Sequence, residues 1–200
     1  MRASSRPEAH TQLAGRPSPG ERPYRQLSAG ELERRFALAV ARGAGLEGAH
    51  CIHELWMRGE FAGRIEAALE QLWGAASRSI PEWLPMRYIE WLPAAYQVAL
   101  GFRAACRGRS NLYLVLLDFE DRRRGPYGVY VGMTHYTPAQ RFDQHKAGIH
   151  AAGSVLKRGL EVLTGPTLHL QHLARAQAQR LEGELAGALR DAGLLVEGGH

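Results

Sequence analysis

The stretch GVYVGMT at residues 128–134 decides the fold of this chain. It is preceded by an apolar run, LYLVLLDF at residues 112–119, and by a charged segment that contains Gly125-Pro126. Two apolar runs joined by a polar segment with a glycine-proline pair are typical of an antiparallel hairpin. The sequence therefore predicts a buried strand over 112–119, a hairpin loop over 120–127 and a returning strand over 129–132.

Helical patterns follow this hairpin. Pro138 is placed to begin a helix that carries Arg141 and His145, and a second helix is predicted around 173–192, ended by a glycine. A last short strand is predicted at 194–196. The order β-β-α-…-α-β predicts the α/β class, as a small mixed sheet flanked by helices.

The first half of the chain has a different character. Residues 1–27 hold Pro, Gly, Ser and Arg without periodicity, which predicts a disordered tail. Ser28 and Glu31 match a capping box at the start of a helix that reaches about residue 42 and is stopped by Gly43 or Gly45. Apolar residues at helical spacing predict a second helix over 61–77. We thus expect a tail at 1–27, a helical accessory region at 28–108 and a second domain at 109–200.

A local duplication lies in the accessory region: EWLPMRY at 82–88 is repeated as EWLPAAY at 90–96. Prolines at 81, 85 and 93 exclude one long helix and favour short helical turns. The tryptophans have two interpretations, a surface for stacking or for a protein partner, and the core of a small helical cap. The pattern favours the core.

The composition indicates which binding partners and which cellular compartment to expect. The net charge is +5, and residues 1–110 contain 15 Arg against 11 Asp and Glu, so most of the positive excess lies upstream of the hairpin. This balance indicates a polyanionic partner. Cys51 and Cys106 form no CxxC pair, which argues against a disulfide framework and a four-cysteine zinc site. No run of 18 apolar residues and no apolar signal core is present, so we expect a cytoplasmic protein with no membrane partner.

The chemistry-bearing residues cluster in and after the hairpin. Tyr113 lies in the first strand, Tyr130 and Gly132 lie in the second, and Arg141 and His145 share one helix face at i, i+4 spacing. Over roughly residues 111–200 this arrangement resembles the GIY-YIG nuclease superfamily. The second motif matches as Y-V-G. In the first motif, Asn111 stands where the family has glycine, and residues 134–138 lengthen the following turn by one residue.

The resemblance implies a metal-dependent endonuclease that hydrolyses DNA phosphodiester bonds in repair, recombination or mobile-element processing. It implies that Tyr113, helped by Tyr130 or His145, deprotonates the attacking water, and that Arg141 clamps the scissile phosphate. The implied metal ligand is Glu182, with Glu184 as its competitor, and the implied cofactor is Mg²⁺ or Mn²⁺.

Alternatives stay open at this point. The domain is either an active nuclease or a catalytically silent nucleic-acid-binding module, and a protein-interaction domain that uses residues 80–96 is a third interpretation. The sequence does not separate DNA from RNA. His50-Cys51-x-His53 and His169-x-x-His172 resemble parts of metal sites, but neither has an evident full ligand set, and we interpret both as structural or incidental. If the nuclease interpretation holds, the five implied side chains should converge on one concave, solvent-reachable face.

Overall fold

A computed structural model describes residues 17–119 and 125–199 of the chain. Within these ranges the protein is mixed α/β, with one four-stranded sheet, eight α-helices and a short 3₁₀ helix, and no helix there is long and apolar enough to cross a membrane. The helices are α1 Ala29–Arg42, α2 Gly45–Met57, α3 Ala62–Ala76, α4 Leu92–Leu100, α5 Pro138–Lys146, α6 Gly153–Arg158, α7 Thr164–Thr167 and α8 Arg175–Asp191. The strands are β1 Asn111–Asp118, β2 Tyr127–Thr134, β3 Gly159–Val162 and β4 Val196–Gly198.

The sheet has the strand order β3-β1-β2-β4. The predicted hairpin is confirmed: β1 and β2 pair antiparallel, although residues 120–124 of the predicted loop lie outside the described residues. Strand β3 pairs antiparallel with β1, and β4 pairs parallel with β2. The sequence predicted neither β3 nor the short helices α6 and α7, because segments of four to six residues carry too little periodicity to be recognised.

The last strand begins two residues later than predicted, at Val196 instead of residue 194. Leu194 packs into the core, and its N–H donates to the carbonyl of Leu189 at the end of α8. The Leu195 carbonyl then accepts a hydrogen bond from the Val129 N–H. Leu194 and Leu195, which were predicted to be part of the strand, therefore form the connection that follows α8 and runs beside β2.

Both faces of β1 are covered, which explains its continuous apolar run. Leu112, Leu114 and Leu116 face the main core, which also contains apolar residues of α1 to α4 and of α8. The opposite face, with Tyr113, Val115 and Leu117, packs against Val155 and Phe142 from the helices on that side. Residues of the regions 28–108 and 109–200 thus contribute to one hydrophobic core.

The prediction of a disordered tail over 1–27 is wrong for residues 17–27, which are packed on the fold. Residues 1–16 lie outside the described residues. Pro19 is buried in a 3₁₀ helix, and Arg22 binds the Glu54 carboxylate with both Nε and Nη2, at 3.0 and 2.8 Å. Arg58 binds the same carboxylate at 2.8 Å and also donates to the carbonyls of Tyr24, Arg25 and Leu27. Because Glu54 is buried, its charge needs these cations, and the pairing holds the segment on α2.

The Ser28 capping box is confirmed, since the Ser28 side chain accepts from the Glu31 N–H and the Glu31 carboxylate accepts from the Ser28 N–H. Gly43 ends α1 in the left-handed region, at φ 62°. The following helix, α2, was not predicted, because most of its positions are buried and it shows no polar stripe. Its His50 and His53 pack against Trp83 and Tyr96.

The duplicated segment forms turns from residue 81 to 91 and then α4, so one long helix is absent, as the prolines predicted. Trp83 and Trp91 are half-buried and pack against the main core. The indole N–H of Trp91 donates to the Tyr127 carbonyl at 3.1 Å, which ties this segment to the hairpin. These contacts agree with the core interpretation of the tryptophans.

Candidate functional site

Strand pairing brings the two tyrosines together. Tyr113 lies directly opposite Gly132, and Tyr130 lies two residues before that glycine on the same face of the sheet. The centroids of the tyrosine rings are 6.0 Å apart. A Cβ atom on Gly132 would lie 2.7 Å from the Tyr113 hydroxyl oxygen and 2.7 Å from Cε1 of Tyr130. Glycine is therefore required at 132, because any larger residue would overlap both phenol rings.

Helix α5 contributes Arg141 and His145 to the site. It begins at Pro138 as predicted, with a capping box between Thr137 and Gln140. The longer turn before it is held by Asn111, whose side-chain amide donates to the Tyr136 carbonyl at 2.8 Å. The oxygen of that same side chain accepts from the His172 N–H at 2.9 Å. Asn111 thus fastens two loops at the end of the hairpin.

His145 completes a triangle of rings with the tyrosines. Its ring centroid lies 6.2 Å from that of Tyr113 and 5.9 Å from that of Tyr130. Nε2 is 2.8 Å from the Tyr113 hydroxyl oxygen, and Nδ1 accepts from the Ala152 N–H at 3.0 Å. Because Nδ1 is an acceptor, a neutral ring carries its proton on Nε2 and donates it to Tyr113. His145 is thereby set to stabilise negative charge on the Tyr113 oxygen.

The protonation states in this cluster follow from burial. Burial and the nearby charge of Arg141 lower the pKa of His145 to about 4, so its ring is neutral at pH 7. Burial raises the pKa of Tyr113, and the Arg141 charge acts in the opposite direction. The pKa of Tyr130 is also raised, first by burial and also by the charge of Glu182. Both phenols are neutral in this environment, and use of either one as a base requires an additional positive charge close to it.

Arg141 lies against the loop that follows α5. Nη1 donates to the Gln144 side chain at 3.1 Å and to the Ile149 carbonyl at 3.3 Å, and Nη2 donates to the His150 carbonyl at 2.8 Å. These bonds hold the guanidinium beside Tyr113 and His145, whose pKa values it perturbs. The remaining donors of the guanidinium are suited to an anion, since a guanidinium has five N–H groups.

Solvent reaches this cluster less than the sequence led us to expect. Tyr113 and His145 are each only 1% exposed, whereas Tyr130 and Arg141 are half-buried. Tyr113, Tyr130, Arg141 and His145 lie close together, but Tyr113 and His145 are buried, so the prediction of a solvent-reachable face is wrong for these two residues. The reachable edge of the site is formed by Tyr130 and Arg141.

The two candidate carboxylates on α8 have different surroundings. Glu182 is buried and lies close enough to Tyr130 to raise the pKa of that phenol. Glu184 is exposed, and both of its oxygens accept from Arg180, at 2.7 and 2.8 Å. The structure therefore places Glu182, and not Glu184, at the cluster.

The residues of this cluster fit a metal site that has a single protein carboxylate as its ligand. Within the described ranges, no group of three or more His, Cys, Asp and Glu side chains could hold a metal ion, so a site with several protein ligands is not formed there. One carboxylate beside a phenol is compatible with Mg²⁺, which keeps several waters and is bound through one or two carboxylates plus substrate phosphates. The histidine motifs His50-Cys51-x-His53 and His169-x-x-His172 are not part of this cluster. Nε2 of His169 forms a hydrogen bond with the Ala99 carbonyl at 3.0 Å.

Sequence reasoning missed two parts of this site. Gly198, at φ 80°, lies beside β2, and a Cβ there would be 2.2 Å from the Val131 carbonyl oxygen and 2.9 Å from Cε2 of Tyr130. The Gly198-Gly199 pair after a predicted strand was a signal for this close approach. The loop backbone at 149–152, which contacts Arg141 and His145, had no signal, because backbone groups are the same in every residue.

Neither a scan against protein-family models nor searches of curated proteins and of solved structures gives a match to this chain.

Proposed function

We propose that this protein is a GIY-YIG-like, metal-dependent endonuclease that hydrolyses DNA phosphodiester bonds. One observation carries the proposal: the rings of Tyr113, Tyr130 and His145 lie 5.9 to 6.2 Å apart around a glycine that has no room for a side chain. Arg141 and Glu182 adjoin the same rings. Residues separated by up to 69 positions in the chain thus form one cluster with the groups that phosphodiester hydrolysis requires.

Arg141 is the group that stabilises charge on the scissile phosphate. Its guanidinium is held by two loop carbonyls, so little reorganisation is needed when the phosphate arrives. A preorganised donor of this kind contributes about 3–4 kcal/mol to the transition state of related charge-developing reactions.

The tyrosines and His145 handle the proton of the attacking water. Tyr113 accepts a hydrogen bond from His145 Nε2, which stabilises its phenolate form, and Tyr130 lies at the reachable edge. Because burial favours the neutral phenols, proton removal depends on positive charge from Arg141 and from a bound cation.

Glu182 is the residue that would hold a divalent cation, Mg²⁺ or Mn²⁺. When bound, such a cation supplies charge stabilisation at a phosphoryl oxygen and lowers the pKa of nearby proton-bearing groups. Among the described residues, Glu182 is the carboxylate that helix α8 places next to Tyr130.

The second candidate is a nucleic-acid-binding module of the same fold without turnover. The burial of Tyr113 favours it, because a base that is 1% exposed needs a structural change before water reaches it. The protein-interaction alternative through residues 80–96 draws no support from Trp83 and Trp91, whose rings pack against the core.

A cleavage assay separates these functions. The full chain is incubated with supercoiled plasmid and with linear, flapped and branched duplexes, in Mg²⁺, in Mn²⁺ and in EDTA, and a labelled RNA serves as a parallel substrate. We expect metal-dependent cleavage of DNA that Arg141→Ala reduces by a few hundredfold. The matched control is Arg64→Ala, which removes an arginine paired with Glu33 and Glu60 in the helical region.

Binding without cleavage in either metal would favour the silent module. The absence of both DNA binding and DNA cleavage would contradict the proposal. Because Arg141 also holds loop carbonyls, Arg141→Lys and a thermal melt accompany the alanine variant, so that loss of charge is separated from loss of fold.

A further inference from the structure

The loop after α5, residues 147–152, touches both functional residues of that helix. The carbonyls of Ile149 and His150 accept from the Arg141 guanidinium at 3.3 and 2.8 Å. Three residues after Ile149, the Ala152 N–H donates to Nδ1 of His145 at 3.0 Å. One short backbone segment therefore sets the direction of the guanidinium and the tautomer of the imidazole.

This segment depends on an uncommon backbone conformation. His150 has φ +45°, in the left-handed region that residues with a Cβ seldom occupy. Gly148 has φ +76°, and a Cβ built there would meet nothing within 4 Å. Two left-handed residues around Ile149 turn the chain so that successive carbonyls face Arg141.

The side chains of residues 147–150 are not what holds this loop in place. The residues from 147 to 150 are exposed, including Ile149 at 52%, whereas the backbone groups at 149, 150 and 152 are engaged with the helix. Of the loop side chains, those of residues 147–150 lie in solvent and Ala152 packs against the cluster that contains Tyr113. A backbone held against two functional side chains, with most of its own side chains in solvent, is a positioning element more than a packing element.

We propose that the loop 147–152 is the positioning device of this site, and that the left-handed conformation of His150 is the element on which it depends. The inference rests on the proposed function only for its effect on cleavage. His150 acts through Arg141 and His145, and it is a positioning residue.

The test compares substitutions that differ in their tolerance of the left-handed region. His150→Val disfavours it, since a β-branched residue there is an outlier, whereas His150→Gly permits it. Gly148→Ala is the second disruptive variant, and its methyl group has open space, so any effect of it is conformational. Thermal melts of all three show which variants are folded.

The first readout is the His145 ring in long-range ¹H–¹⁵N spectra, assigned with His145→Gln. We expect wild type and His150→Gly to show a protonated Nε2 and an acceptor Nδ1, and His150→Val and Gly148→Ala to lose that signature. The second readout is the cleavage rate, which we expect to fall about tenfold in the two disruptive variants, corresponding to a left-handed penalty of ~1–2 kcal/mol.

An unchanged His145 signature in both folded disruptive variants would overturn the inference, and so would a loss in His150→Gly as large as that in His150→Val. If one disruptive variant fails to fold, the other decides. Absence of cleavage by the wild type would count against the proposed function alone, because the ring spectra report the positioning without turnover.

Discussion

Gly132 lies directly across the hairpin from Tyr113, and its missing side chain is the space that the Tyr113 phenol occupies. The Tyr113 ring and its hydroxyl are each 2.7 Å from the point where a Cβ would be, and neither can retreat, because Tyr113 is 1% exposed. This glycine therefore belongs to the site as much as the tyrosines do.

We expect Gly132→Ala to displace Tyr113 and break its 2.8 Å contact with His145. Overpacking of this kind costs about 1–3 kcal/mol in unfolding free energy, and cleavage should fall at least tenfold. Denaturant melts and a cleavage assay measure both effects. Gly74→Ala is the control: its Cβ meets nothing within 4 Å in helix α3, so it should stabilise by about 0.5–1 kcal/mol with unchanged activity. A fully active, equally stable Gly132→Ala protein would show that the Tyr113 position is irrelevant.

Glu182→Gln and Glu184→Gln form a matched pair on one helix. We expect Glu182→Gln to raise the Mg²⁺ concentration needed for half-maximal cleavage at least tenfold, because a neutral amide binds a hard dication poorly. Glu184 is paired with Arg180 at the surface, and its substitution should leave the Mg²⁺ dependence unchanged. Titrations of Mg²⁺ against rate compare the two variants. A larger shift for Glu184→Gln would contradict the assignment of Glu182.

Acid should destabilise this protein as pH falls from about 6.5 to about 3. Burial lowers the pKa of His53 to about 3 and of His145 to about 4, so the unfolded chain binds more protons than the folded one in this range. The stability contributed by these two neutral histidines is thus present above pH 6.5 and is lost as pH falls through their folded pKa values. His53→Phe keeps an aromatic ring against Tyr96 and removes one titrating group. Denaturant midpoints measured from pH 7.5 to 4.5 should show that this variant takes up about one proton fewer on unfolding.

The His53→Phe variant also tests how a buried polar atom affects the stability of the fold. Nε2 of His53 is buried without a hydrogen-bond partner among the described residues, and phenylalanine has no such atom to satisfy. We therefore expect His53→Phe to be at least as stable as wild type at pH 7. A loss of more than about 3 kcal/mol, beyond the usual cost of fitting a larger ring into a packed core, would indicate that His53 makes a contact of structural value.

We expect the buried Glu54 carboxylate to be a main contributor to the packing of residues 17–27 on helix α2. Glu54→Gln removes a carboxylate that binds both Arg22 and Arg58, and we expect it to cost about 1.5–3 kcal/mol in unfolding free energy. Cleavage by a protease between residues 17 and 27 should also become faster. Glu47→Gln breaks an exposed pair with Arg35 and should cost about 0–1 kcal/mol. Equal costs for the two variants would show that burial of Glu54 does not matter.

The sequence by itself was sufficient for the elements with strong local signals. Two apolar runs joined by a Gly-Pro loop predicted the hairpin, Ser28 with Glu31 predicted the start of α1, and Pro138 predicted the start of α5. These signals are local, since periodicity, capping and proline stereochemistry act within a few residues. Tyr113 and Tyr130 were identified as site residues by the resemblance of their surroundings in the sequence to the motifs of a known superfamily.

Other features were decided by tertiary structure alone. Helix α2 is buried on most sides and residues 17–27 are held by a buried carboxylate, so neither shows in local patterns. The choice of Glu182 over Glu184 depends on which side of α8 faces Tyr130. The tautomer of His145 and the direction of Arg141 depend on backbone groups of a loop that any residues would supply. Periodicity and residue type are properties of the chain, whereas burial, charge proximity and hydrogen-bond direction arise only when distant segments are packed together.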